Sequence, residues 1–182
     1  MKKWLARILI PIVLFIAIFA VIFFRKYPTK YKDIVFEMSN KYNVSASMIA
    51  SVINIESSYR KDVVSKSGAV GLMQVMPSTA FEIAKKIDLD LNYEQLFEEK
   101  INIELGTYYL NYLLSLFDNN YVNALCAYNW GLNNVKTWII KGNIDSNGNI
   151  TNVPIKETSD YIKKYKKSFW VYFNIHNYNW QL

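Results

Sequence analysis

The stretch SASMIASVINIESS, residues 45–58, decides how the rest of the chain is read. Ser45 suits a helix N-cap, and Ile49, Val52 and Ile53 repeat at the i, i+3, i+4 spacing of one helical face. The next member of that stripe, i+7, is Glu56, an ionisable group where the pattern calls for a hydrophobe. Desolvation and the negative end of the helix dipole both disfavour a charged carboxylate there, so the spacing predicts a raised pKa. A carboxylic acid that stays protonated near neutrality can donate a proton to a poorly departing oxygen. The plainer alternative ends the helix at Glu56 and turns its carboxylate to water or to Arg60 at i+4.

Outward from this stretch the apolar spacing stays helical. Tyr31, Ile34, Val35, Met38 and Tyr42 predict a helix that starts near Pro28-Thr29 and stops at Asn43. KSGAVGLMQVMPSTA, residues 66–80, reads as a glycine-containing loop that enters a helix at Pro77 or Ser78. Ile101, Leu105, Tyr108, Tyr112 and Leu116 mark a longer helix, and its interior Gly106 predicts close approach of another backbone. NNYVNALCAYNWG, residues 119–131, reads as a capped helix, GNIDSNGNITN, residues 142–152, as a loop or small β-like turn, and residues 154–173 resume helical spacing. No alternating run is long enough for a sheet, so the fold class is all-α.

The first 26 residues differ in kind. Residues 8–24, ILIPIVLFIAIFAVIFF, are uncharged and span about 25 Å as a helix, the short end of a bilayer core. After Ala20 the chain continues VIFFRK without small residues for a cleavage site, which predicts an uncleaved signal anchor over residues 1–26 and one domain over 27–182. Lys2, Lys3 and Arg7 against Arg25, Lys26, Lys30 and Lys32 leave the orientation open. The net charge of +6 comes mostly from these flanks: residues 27–182 hold 16 Lys and Arg against 15 Asp and Glu, which excludes a strongly basic nucleic-acid binder. KKYKK, residues 163–167, reads as the solvated face of a helix. Cys126 reads as a small core residue, and with His176 as the only histidine the chain offers no familiar metal site and no internal disulfide.

The loop SKSGAVGLMQVMP, residues 65–77, brings glycines, serines and a glutamine together without another carboxylate, a set suited to an uncharged polar ligand. The many tyrosines and tryptophans can stack on apolar sugar faces. ESSYRKDVVSKSGAVGLMQVMPSTA, NIELGTYYL, AYNWG and ETSDYI occur in the order seen in the transglycosylase domain of soluble lytic transglycosylases, relatives of goose-type lysozyme. The chain resembles that family over roughly residues 30–170.

The resemblance implies a mostly α-helical, lysozyme-like fold with a glycan groove, acting on bacterial peptidoglycan without metal or organic cofactor. It implies Glu56 as the catalytic acid and base. Ser65, Ser67, Met73, Gln74, Tyr128, Asn129 and Tyr161 match groove positions, with the Tyr161 hydroxyl near the catalytic carboxyl. Ser57 matches a supporting neighbour or a polar helix end, and Glu157 a structural position rather than a second catalytic carboxylate. The implied reaction cleaves between N-acetylmuramic acid and N-acetylglucosamine and closes a 1,6-anhydro ring. A hydrolytic lysozyme and an inactive glycan-binding module are the alternatives. The substrate class would place the domain outside the cytoplasmic membrane, single-pass through residues 8–24. Two departures stand out: Trp130 replaces a commonly small residue, and GLNNV lacks the usual Pro-Gly.

Overall fold

The computed structural model describes residues 2–145, 148–151 and 153–178. Among them are eight α-helices and isolated β-bridges, with no strand. The helices are α1 Lys2–Lys26, α2 Lys32–Tyr42, α3 Ala46–Ser57, α4 Pro77–Lys86, α5 Glu99–Leu116, α6 Tyr121–Trp130, α7 Leu132–Ile140 and α8 Lys156–Asn174. A short 3-10 turn, Glu94–Phe97, precedes α5.

The expected boundaries hold where local chemistry is strong. Asn43 closes α2 in the left-handed region with its N–H on the Ser39 carbonyl. The Asn120 side chain caps α6 by accepting from the Val122 and Asn123 N–H groups, and Pro77 opens α4. Ser45 stands at the N-cap of α3, but its hydroxyl makes no capping bond. Helix α2 begins several residues after Pro28, because Tyr31 takes a left-handed conformation (φ 60°) just before it. Helix α7 has no counterpart in the sequence reading; Gly131 (φ 92°) separates it sharply from α6.

Helix α3 is the central element. Ile49, Ala50, Val52 and Ile53 are wholly buried, and the helix packs chiefly on α8, with α2 at its other side. Asn54 Nδ2 of α3 donates to Ser168 Oγ of α8 at 3.1 Å, and Ser47 Oγ donates at 2.9 Å to the carbonyl of Tyr178, past the end of α8. Helix α5 joins α2, α4 and α6 around the remaining core. Cys126 is buried in α6, as expected of a small core residue.

The loop between α3 and α4 folds onto α5 through one buried side chain. Asn102 Oδ1 accepts from the Met73 N–H at 2.8 Å, while its Nδ2 donates to the carbonyls of Val70 at 3.0 Å and Leu96 at 2.8 Å. All three bonds lie in the interior, where an unmatched amide group would be costly. Gly106 explains itself against the same loop: a Cβ there would stand 2.7 Å from the Met73 Cβ and 2.5 Å from its Sδ. The close approach is therefore of a side chain, Met73 in the GLMQ loop, where the sequence reading expected a backbone.

Residues Arg7–Lys26 of α1 are long and apolar enough to cross a membrane. The helix end is tied to the rest of the chain. Tyr27 is buried, and the Tyr172 hydroxyl donates to the Pro28 carbonyl at 2.8 Å.

Replacing Gly106 by alanine should destabilise the chain by about 1–3 kcal/mol despite alanine's better helix propensity, because the new methyl overpacks against Met73. Denaturant titration against the parent checks this; unchanged or raised stability would refute the close approach.

Candidate active site

Glu56 sits in the last turn of α3, half-buried, where the apolar stripe ends. The chain leaves the helix immediately afterwards through two non-glycine residues in the left-handed region, Ser58 (φ 52°) and Tyr59 (φ 62°). Ser57 is buried and its hydroxyl donates back to the Ile53 carbonyl at 3.1 Å, so it serves the helix end. The proposed Arg60 pair does not form: Arg60 Nε donates to the Ser57 carbonyl at 3.1 Å instead.

The partner of Glu56 comes from α8. The buried Tyr161 donates its hydroxyl to Glu56 Oε1 at 2.8 Å across 105 positions of sequence. Burial pushes the Glu56 pKa up to about 7, the Tyr161 hydrogen bond pulls it down in part, and the Glu157 charge adds to the rise. Burial likewise holds the Tyr161 phenol well above its ordinary value, so it stays a donor. Glu157 itself is exposed in the first turn of α8 and acts on Glu56 through its field. Asp62 is exposed and its charge bears on Tyr31 and Lys61 instead.

On the other side stands Tyr128, whose hydroxyl donates to the Met73 carbonyl at 2.8 Å and whose titration feels the Glu56 charge. Gln74, Thr79, Tyr109, Tyr128, Asn129 and Trp130 frame a hollow of about 250 Å³. The two amides in it have complementary free ends. Gln74 spends its Nε2 on the Val63 carbonyl at 3.0 Å and the Gly71 carbonyl at 2.8 Å, which leaves Oε1 as an acceptor. Asn129 accepts at Oδ1 from Thr158 Oγ1 at 2.8 Å, which leaves Nδ2 as a donor.

The sequence-derived set therefore divides. Glu56 and Tyr161 are joined by a hydrogen bond, while Gln74, Tyr128 and Asn129 share the hollow. Ser65 is half-buried and accepts at Oγ from the Ala69 N–H at 3.0 Å, a turn-forming bond that leaves its hydroxyl proton to give. Ser67 is exposed on the same turn. Met73 is the correction: its side chain is wholly buried against Gly106 and Thr107, so only its backbone serves the site. Its position was read from a sequence block, and a block does not reveal which way a side chain points. Sequence reasoning also missed Tyr109, which packs on Tyr128 with ring centroids 5.5 Å apart, and Thr158, which orients Asn129. Both lie inside quoted motifs, NIELGTYYL and ETSDYI, but nothing in their spacing singles them out. Among the described residues no cluster of His, Cys, Asp and Glu could hold a metal ion.

The chain is similar to known proteins. The Transglycosylase SLT domain family matches residues 33–149. The soluble lytic murein transglycosylase of Salmonella typhimurium is 35% identical over 143 residues, covering 76% of this chain and 22% of the relative. The membrane-bound lytic murein transglycosylase E of Buchnera aphidicola subsp. Baizongia pistaciae is 33% identical over 155 residues, 75% of this chain and 70% of the relative. Among solved structures, an inactive mutant of the lytic transglycosylase Slt from Pseudomonas aeruginosa superposes with a TM-score of 0.75 at 28% identity, over 84% of this chain and 25% of that one. The chain thus spans about a fifth of the length of the soluble relatives it matches.

The raised pKa has a consequence for stability. An unfolded Glu56 ionises near 4.5 and the folded one near 7, so its contribution to stability is intact below pH 4.5 and falls as pH rises between those values. Glu56→Gln should therefore raise the unfolding free energy by about 1–3 kcal/mol at pH 8, after discounting for solvent in the groove, and change it little at pH 4. Denaturation of both chains at the two pH values tests this; an equal effect at both would refute the elevated pKa.

Proposed function

The chain belongs to the transglycosylase SLT domain family, and on that membership and the Glu56–Tyr161 geometry we propose a membrane-anchored peptidoglycan lytic transglycosylase. The single observation that carries the reading is a carboxyl lifted to about pKa 7 with a tyrosine donating to one of its oxygens. Tyr161 occupies Oε1, so the proton is carried on Oε2, the oxygen left to face the substrate. That proton passes to the oxygen linking N-acetylmuramic acid to N-acetylglucosamine as the bond to C1 breaks. The resulting carboxylate, stabilised by Tyr161, then removes the proton from the muramoyl C6 hydroxyl. The hydroxyl oxygen closes on C1, giving the 1,6-anhydro end and returning Glu56 to its acid form. Ring closure within one sugar needs no second carboxylate to seat water, and proximity favours it over attack from solvent.

The hollow beside Tyr128 supplies the binding side. Gln74 offers an acceptor and Asn129 a donor, the pair that an N-acetyl amide requires, while Tyr109 and Trp130 give apolar ring faces for sugar. Ser65 and Ser67, on the turn after α3, carry hydroxyls for positioning the glycan in this reading. Helix α1 is the anchor, crossing once, with the catalytic domain of residues 27–182 on the extracytoplasmic side where peptidoglycan lies. That orientation rests on the substrate class.

Digestion of purified peptidoglycan followed by mass spectrometry tests the reaction: anhydromuramoyl ends are expected, and reducing ends alone would assign a hydrolytic lysozyme instead. Glu56→Gln should lower turnover about 10²–10⁴-fold. Because Glu56 must enter protonated, kcat/KM should fall as pH rises through about 7. Tyr161→Phe removes a bond that lowers the Glu56 pKa, so that limb should move to higher pH while kcat drops about tenfold. A limb unmoved by Tyr161→Phe would remove Tyr161 from the reaction.

A further inference from the structure

Helix α8 has a second face that the reaction does not use. Its buried side carries Tyr161, Ile162, Tyr165, Ser168, Val171 and Tyr172. Its exposed side carries Lys163, Lys164, Lys166, Lys167, Trp170 and Asn174. Lys163, Lys166 or Lys167, Trp170 and Asn174 recur at helical spacing and form one stripe. Trp170 is 58% exposed and Ile175, just past the helix, 47% exposed. Residues 161–178 contain four lysines and no acid. Lys164, Lys166 and Lys167 make no ion pair with a described residue, and Lys163 reaches only Asp160, at 3.5 Å.

The position of this face relative to α1 says what it meets. His176 lies against the rings of Phe23 and Phe24, the last apolar residues of α1, with centroids 6.0 and 6.1 Å apart. The end of α8 is therefore at the depth where the membrane-length run stops. Phe19, Phe23 and Lys26 of α1 face Lys167 and Trp170 of α8 across an apolar hollow of about 500 Å³. A second apolar hollow opens on the other side of Trp170 against Met48 and Tyr121. The hydrogen bond from Tyr172 to the Pro28 carbonyl and the burial of Tyr27 hold α8 beside the anchor.

We propose that the exposed face of α8 is a second membrane contact, in which Trp170 and Ile175 sit at headgroup level and Lys163, Lys164, Lys166 and Lys167 meet anionic phospholipid. The proposal rests on the reading of α1 as a membrane anchor. A tryptophan with an apolar body and a polar N–H suits the interface, and lysine stems reach along the apolar surface to place their charges among phosphates. Each lysine near an anionic surface strengthens docking about fivefold. A second copy of the chain is the less fitting occupant, since this face would set lysines against lysines. The bilayer is the surface that α1 itself brings to the level of Trp170.

The test uses the full chain with Cys126→Ala and one fluorescent label at a time, on Asn174→Cys, Ile140→Cys or Phe15→Cys, in vesicles of phosphatidylcholine with phosphatidylglycerol. Nitroxide lipids labelled near the headgroup should quench the probe at position 174 but not that at position 140 on α7, which is 85% exposed. Lys166→Gln with Lys167→Gln, omission of phosphatidylglycerol, or high salt should each weaken docking several-fold, while leaving position 15 buried in lipid. Quenching at 15 with none at 174 overturns the proposal and leaves the anchor standing. Loss of quenching at both overturns the anchor and the proposal with it. A probe at 174 shielded from lipid nitroxide and aqueous iodide alike indicates a protein on this face and overturns the lipid assignment.

Discussion

The packing of α3 against α8 is the constraint on which the site depends. It half-buries the last turn of α3, which removes part of the water from Glu56, and it delivers the Tyr161 hydroxyl to the same carboxyl at 2.8 Å. These two effects oppose each other. Desolvation favours the protonated acid, and the Tyr161 hydrogen bond favours the carboxylate. Their balance, near 7, is what a group that must first donate and then accept a proton requires.

The site needs a second support, because Glu56 lies at the end of its helix and the groove must stay open. The loop after α3 carries Gln74 in a left-handed conformation (φ 49°) and is tied within itself by paired bonds between Val70 and Val75. Asn102 determines it from α5, with one side chain satisfying three backbone groups from two segments. Gly71 permits this, since its φ of 81° and a Cβ that would sit 2.8 Å from the Leu96 carbonyl both exclude a side chain. The loop then fixes the Met73 carbonyl, which in turn holds Tyr128. A chain of polar contacts thus runs from α5 through the loop to α6 and ends beside the acid.

Sequence periodicity made α2, α5 and α8 legible because each buries one face and leaves another at least partly open to water, while α3, legible by its apolar stripe, is covered on nearly every side. It also exposed Glu56, the one charge on a buried stripe. What it did not show was direction. Met73 and Gln74 are neighbours in one block, yet the left-handed turn sends one side chain to the core and the other to the groove. Helix α7 was missed because its nine residues follow a helix directly, with only Gly131 to mark the break. Tyr109 and Thr158 act through partners 19 and 29 residues away in sequence, Tyr128 and Asn129, and no local pattern encodes such a pairing.

Helix α8 joins two requirements that would otherwise be independent. Tyr161 near its start touches the Glu56 carboxyl, and His176 just past its end touches the last aromatic rings of α1. The fourteen positions from Tyr161 to Ile175 span about 21 Å along the axis. With α1 in the bilayer, the acid can stand no farther than about that distance from the level where α8 meets α1. The buried Tyr27 and the Tyr172 bond to Pro28 leave little slack at the junction. The length of one helix thus bounds how far Glu56 stands from the level where α8 meets α1.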